Sequence, residues 1–395
     1  MLKKLLYCLV FLIFSQQLLA QTLLPVIKAT SKSAKIKDGD KITGWSLSPE
    51  AKRDVFVANR TRKTVKITFY TGIDSMTFKV EPYQKIEFIV LLNNKDTCFT
   101  VIQSAVQESK NKRLSSTKFV TDTIPFILTN YNNISIKTIV NQRDTLDLMF
   151  HSGVSSVYVT KEGLAKTKHL KVDKSGHVTS WAGRAEAGFS TTNSLRVGNF
   201  ECDSLEITID ERSGQGTDGK FGFSFFENTV LEVNYDLNQL IIHKKLPKSL
   251  KGYTKLPLEF VNSSFFLDTK IKIKEQVYSD KFMFHTGYAG SVILGTQFMD
   301  KHQLRGQLDT LGVEELKDSY SNIMKNITTN FAAVRVGETD FVNVKGSVMD
   351  KKVRFPTSVL GNDVLKRFNV LVDFQNDFIY LKLNKLINMP YRNGA

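Results

Sequence analysis

Cysteine is scarce in this chain: three occur in 395 residues, and Cys8 lies inside the N-terminal apolar run, which leaves Cys98 and Cys202. So few thiols exclude a disulfide-stapled scaffold. The two fall in different proposed domains and are expected as buried thiols without a bridge. A second long apolar stretch is also missing. The first, Leu5 to Phe14 in "MLKKLLYCLVFLIFSQQLLA", follows two lysines and precedes the small residue Ala20. It is too short to cross a bilayer and no stop-transfer pattern follows, so residues 1–20 read as a signal peptide. The mature protein is therefore expected to be exported, periplasmic or extracellular, with no membrane span.

Several reaction classes lack their residues. There is no zinc-spaced His/Cys cluster, no nucleophile elbow and no basic groove interleaved with aromatics. Lys and Arg number 54 against 39 Asp and Glu, a formal charge of +15. The basic residues are scattered singly rather than gathered in blocks, which describes a solvated basic surface and no nucleic-acid partner. "RSGQGTDGKFG" is rich in glycine but has no following Lys-Ser/Thr, so it is not a phosphate-binding loop. His169, His243 and His302 lie in charged, surface-like surroundings.

What the sequence has in quantity is short β-like runs. A chain of this length exceeds one ordinary core, so two or three units are expected. From about Lys35 to Ala105, "TVKITFYTG", "MTFKVEP" and "KIEFIVLLNN" alternate apolar and polar residues with period two, predicting a small N-terminal β domain over 24–108. "SKNKRLSSTK" is polar throughout and reads as a linker, 109–120. Beyond it lie two similar halves, 121–247 and 248–395. "LMFHSGVSSVYVT" leads to a short helix "KEGLAKT", a glycine-rich excursion and "DGKFGFSFFEN"; "KFMFHTGYAGSVILG" leads to "TQFMDKH", another excursion and "TSVLGNDVLKRFN". The interval from His151 to Gly222 is 71 residues and that from His285 to Gly361 is 76, which an internal duplication explains.

The paired pattern resembles the two-lobed aspartic peptidases of the pepsin and retropepsin type, over roughly residues 121 to 390, with "TDGKFG" and "SVLGNDVLKRF" similar to secreted bacterial members. The resemblance implies a mainly β fold of two duplicated lobes behind the N-terminal β domain. Each lobe of that family carries an Asp-Thr/Ser-Gly turn, with a hydrophobic residue and Gly packed beneath it. Ser152 and Gly153 match in one lobe, Thr286 and Gly287 in the other, and Phe221-Gly222 and Leu360-Gly361 supply the later elements. The departure is at the defining residue, where this chain has His151 and His285. Two carboxyls sharing a proton cannot be replaced by two imidazoles without losing the mechanism. Asp147 and Asp280 precede the turns by four and five residues and do not restore it.

Three readings of the pair follow. The scaffold holds an extended peptide or glycan-like ligand in the interlobe cleft without aspartic proteolysis, as a pseudoenzyme. Alternatively, His151 and His285 act as general acid and base in a hydrolase or lyase. Or they bind zinc, which needs further ligands; no cofactor is otherwise expected. His177 and Trp181 lie in "SGHVTSWAGRAEAGFS", where the resemblance places a flap. They are candidate ligand contacts, with His177 a possible third metal ligand. The sequence leaves the oligomeric state open.

Overall fold

Period-two alternation becomes period-two burial: Ser33–Asp38 reads exposed, buried, exposed, buried along its length. The computed structural model describes residues 24–49, 54–107, 111–212, 215–261, 264–350 and 355–392; the expected signal peptide lies outside them. The chain is mainly β and divides into two compact units, Met1–Gln107 and Glu108–Ala395. Cys98 is buried in the first and Cys202 in the second.

The first unit has eight described strands: β1 (Val26–Ala29), β2 (Ser33–Asp38), β3 (Lys41–Ser46), β4 (Asp54–Val57), β5 (Val65–Tyr70), β6 (Ser75–Val80), β7 (Lys85–Leu92) and β8 (Asp96–Gln103). They form two four-stranded sheets, β3-β2-β5-β6 and β1-β7-β8-β4. Their inner faces share one core built on Ile27, Ile36, Phe69, Phe88 and Val90. Asn93 and Asn94 both take positive φ between β7 and β8, the conformation that a tight hairpin following strand twist demands.

In the second unit, the first half runs β9 (Asn111–Arg113), β10 (Thr121–Pro125), β11 (Ile127–Leu128), β12 (Ile134–Val140), β13 (Asp144–His151) and β14 (Val157–Thr160). There follow α1 (Lys161–Ala165), β15 (Lys174–Thr179), β16 (Arg184–Val197), β17 (Phe200–Asp210), β18 (Gly219–Gly222), a 3-10 turn at Phe223–Phe226, β19 (Val230–Asn234) and β20 (Gln239–His243). The other half runs β21 (Thr254–Pro257), β22 (Glu259–Val261), β23 (Ser264–Ile273), β24 (Gln276–His285), β25 (Val292–Leu294), α2 (Thr296–Lys301), β26 (Gly312–Lys317), β27 (Ile323–Val336), β28 (Thr339–Met349), β29 (Val359–Gly361), α3 (Asn362–Leu365), β30 (Phe368–Asp373) and β31 (Phe378–Leu383).

The duplication holds strand by strand. One lobe has the sheet order β11-β12-β13-β18-β14-β17-β16-β15 and the other β22-β23-β24-β29-β25-β28-β27-β26. A third sheet, β10-β20-β19-β30-β31-β21, takes three strands from each half and joins them at the β19–β30 pairing. Strand β30 is buried at every position, as befits a strand covered on both faces. Phe223, Phe265 and Phe374 from both halves pack together, with Phe223 and Phe374 stacked at 5.5 Å, so the two lobes share one core.

Within the stretch whose polarity suggested a linker, 109–120, residues 111–113 form a strand. β9 pairs with β17, and Arg113 bonds Asp122 at 2.7 Å and reaches the Ser115 and Thr117 carbonyls. An edge strand is held by its backbone, so polar side chains do not preclude it. Among the described residues, no helix is long and apolar enough to cross a membrane.

Candidate functional site

Strand β13 alternates over its first half and is then buried at Leu148, Met149 and Phe150, as it passes from the surface of its lobe to the boundary between lobes. β24 goes from exposed at its start to buried at Phe282 and Phe284, keeping its alternation, and ends at His285. β13 lies parallel to β18, bringing His151 opposite Gly222; β24 lies parallel to β29, bringing His285 opposite Gly361. The two imidazoles therefore meet across the lobe boundary, ring centroids 4.7 Å apart and planes at 71°.

The residues after each histidine lock the turns together. The Ser152 N–H donates to Thr286 Oγ1 at 2.9 Å, and the Thr286 N–H donates to Ser152 Oγ at 2.9 Å. Each hydroxyl then donates onward to the opposite strand, Ser152 to the Phe284 carbonyl at 2.6 Å and Thr286 to the Phe150 carbonyl at 2.8 Å. Four buried bonds pair the two backbone N–H groups, the two hydroxyls and the Phe150 and Phe284 carbonyls of the crossing, and only a small hydroxyl side chain both accepts and donates there. Glycine follows because the opposite ring needs the space: a Cβ on Gly287 would stand 2.1 Å from His151 Nε2, and one on Gly153 2.9 Å from His285 Nε2. Asn362 Nδ2, from α3, braces the turn by donating to the Thr286 carbonyl.

The Gly153 N–H donates to His151 Nδ1 at 3.1 Å, so neutral His151 carries its proton on Nε2. His285 Nδ1 is buried with no hydrogen-bond partner. Both rings are held neutral well below the usual imidazole range. For His151 the cause is burial, then His285 and the nearby Lys220 charge; for His285 burial, then Lys220, push the value down to about 4. Neither sequence carboxylate is at the turn: Asp147 is exposed beside Lys137 and Asp280 bonds Lys301 at 2.9 Å.

The glycine-rich excursion is a hairpin, β15–β16, whose turn is Ser180–Gly183. His177 is exposed on β15 opposite Glu186, and among the described residues no three His, Cys, Asp or Glu are grouped to hold a metal. Trp181 is 41% exposed and sets its ring edge against Phe355 of the other lobe at 6.1 Å. The second lobe has the matching hairpin, β26–β27, with the turn Asp318–Asn322. The two tips meet. Ser180 Oγ donates to Asp318, and a Cβ on Gly183 would lie 3.1 Å from Asn322 Cγ. The same tip reaches the first lobe through Ser319, whose carbonyl accepts the Glu211 and Arg212 N–H groups at 3.1 and 3.0 Å.

Two residues that pattern reading did not single out are buried beside the pair. Lys220 and Asp210 form an ion pair at 2.8 Å with side chains 9% and 0% exposed. The signal was a lone lysine inside the otherwise apolar "GKFG" strand. His302, expected at a charged surface, instead packs against Phe298 at 4.6 Å and Tyr278 at 5.0 Å. His169 and His243 do face carboxylates, Asp144 at 3.1 Å and Glu232 at 2.9 Å.

No family model matches the chain, and no curated protein does. Among solved structures it is similar to the aspartic proteinase from Irpex lacteus, at 13% identity and a TM-score of 0.46, over 69% of this chain and 100% of that one.

Proposed function

We propose that this chain is an exported protein of the two-lobed aspartic-peptidase type, of the secreted bacterial kind, in which the catalytic acids have given way to histidine. On this reading it binds an extended peptide or glycan-like ligand between the lobes without aspartic proteolysis. The observation that carries it is the paired turn: the hydroxyl lock and apposed glycines are intact, while neutral imidazoles stand where carboxyls would have to share a proton. The lobe boundary and the hairpin that each lobe contributes support this reading, in which an extended ligand pairs through backbone hydrogen bonds. Purified protein should leave a denatured protein substrate uncut between pH 3 and 7, and peptide and glycan libraries should yield a ligand. Pepstatin-sensitive cleavage would overturn the reading.

A second reading rests on the unpartnered His285 Nδ1 and the closeness of the rings. It makes the pair a general acid and base of a hydrolase or lyase, or two of the ligands of a zinc ion. If His151→Ala and His285→Ala each leave activity, ligand affinity and metal content unchanged, this second reading fails.

A further inference from the structure

The duplicated lobes allow each position on one side of the cleft to be compared with its equivalent on the other. Lys220 on β18 is paired with Tyr158 on β14, and Tyr158 with Thr208 on β17, two residues before Asp210. In the second lobe Val359 is paired with Ile293, and Ile293 with Ser347, two residues before Met349. Lys220, Tyr158 and Asp210 thus correspond to Val359, Ile293 and Met349. The second lobe buries its three as an apolar cluster, with Ala182 from the first lobe's hairpin tip packed against it. The fold is satisfied by hydrocarbon at this place. A buried ion pair there is costly unless every remaining hydrogen-bonding position is filled, and is commonly less stabilising than the apolar alternative. Its presence on one side alone points to something other than folding.

Here a hydroxyl fills a position on the lysine, while the carboxylate oxygens are buried and left without a hydrogen-bond partner. Lys220 Nζ donates to Ser319 Oγ at 2.6 Å and lies 4.8 Å from the centre of the Tyr158 ring. The Tyr320 phenol lies near Asp210, which, after burial, pushes its ionisation upward. Ser319 and Tyr320 belong to the hairpin tip of the opposite lobe, so the closed cleft supplies its own occupant. When the tip lifts to admit a ligand, the ammonium needs an acceptor and the carboxylate a donor within one small space. An incoming carboxylate is opposed by Asp210, an incoming ammonium by Lys220, and an apolar group leaves the remaining hydrogen-bonding positions of the ion pair unfilled. The neutral hydroxyl does both jobs.

We propose that Lys220, Asp210 and Tyr158 form a binding pocket for a neutral, hydroxyl-rich group such as a sugar ring, held in the closed state by Ser319 and Tyr320. This rests on the cleft-binding reading above and commits it to an oligosaccharide on the first-lobe side. The test is calorimetric titration of the whole mature chain with cellohexaose, maltohexaose and chitohexaose, and with an extended hexapeptide lacking hydroxyl side chains. At least one oligosaccharide binds. The variant Lys220→Val/Asp210→Met/Tyr158→Ile, which copies the second lobe and keeps its strand spectrum, binds it at least tenfold more weakly. Ser319→Ala/Tyr320→Phe, which removes the internal hydroxyls, binds it several-fold more tightly. Failure of all three oligosaccharides with both wild type and the Ser319→Ala/Tyr320→Phe variant overturns the proposal, as does unchanged affinity in the apolar copy. A Gly183→Cys/Asn322→Cys crosslink separates the two levels. Binding that survives the crosslink overturns the cleft reading itself; binding that the crosslink blocks but the apolar copy leaves unchanged overturns the pocket alone.

Discussion

His151 of one lobe rests its ring on the backbone of Gly287 in the other, where an added Cβ would stand 2.1 Å from Nε2. The reciprocal contact, His285 over Gly153, is looser at 2.9 Å. Gly287→Ala must therefore displace the imidazole out of its half-buried seat, whereas Gly153→Ala needs only a small shift. Overpacking of this kind costs about 1 to 3 kcal/mol. Thermal unfolding should show Gly287→Ala as the more damaging substitution, and adding His151→Ala to it should recover part of the loss. Equal effects of the two glycine changes would contradict the asymmetry.

The hydroxyl lock makes a sharper prediction about chemistry at constant shape. Thr286→Val keeps the volume but leaves the Ser152 N–H without its acceptor and the Phe150 carbonyl without its donor, both buried. Each stranded group costs about 1 to 3 kcal/mol. Thr286→Ser, which retains the oxygen, should stay near wild type in denaturant unfolding. If valine and serine behave alike, the bonds contribute nothing and the boundary is held by packing.

Much of this was legible in the sequence, and the limits have a physical cause. Alternation announced strands such as Ser33–Asp38 because one face of each is wet. The two His-hydroxyl-Gly turns announced the duplication because a crossing of two chains restricts residue type at each position. Lys220 and Asp210 were not legible as a pair: they lie ten residues apart and are joined only through β14, which pairs with both their strands. The meeting of Ser180 with Asp318 joins residues 138 apart and depends on the angle between lobes, which no local pattern encodes. Asn111–Arg113 was masked by its polarity, since backbone pairing leaves no trace in composition.

The neutral imidazoles tie stability to pH with a definite sign. In the unfolded chain each histidine protonates near 6.5, while in the folded chain His285 does so at about 4 and His151 is also held low. The unfolded state therefore takes up protons first as pH falls. The contribution is fully present above about pH 6.5 and is lost progressively toward pH 4, with a magnitude on the order of a few kcal/mol. Denaturant midpoints should decline across that window in wild type and decline less in His151→Ala/His285→Ala. A flat wild-type profile between pH 6.5 and 4.5 would show that the folded chain does not hold the rings neutral.

Asp318 governs a second transition at lower pH, confined to the hairpin tips. Burial raises its carboxyl, but hydrogen bonds from Ser180, Asn322 and the Tyr320 N–H outweigh that and hold it below the ordinary value of 3.8. A depressed carboxyl stabilises above its unfolded pKa and ceases to do so as pH falls through its folded one. The clasp between Ser180 and Asp318 should thus hold at pH 5 and weaken below about pH 3.8. Asp318→Ala removes the acceptor for both tips at any pH. Hydrogen exchange should quicken in 180–183 and 319–322 together in this variant, with the amides of β30 unchanged. Faster exchange in one tip alone would mean that the two hairpin tips are held independently of each other.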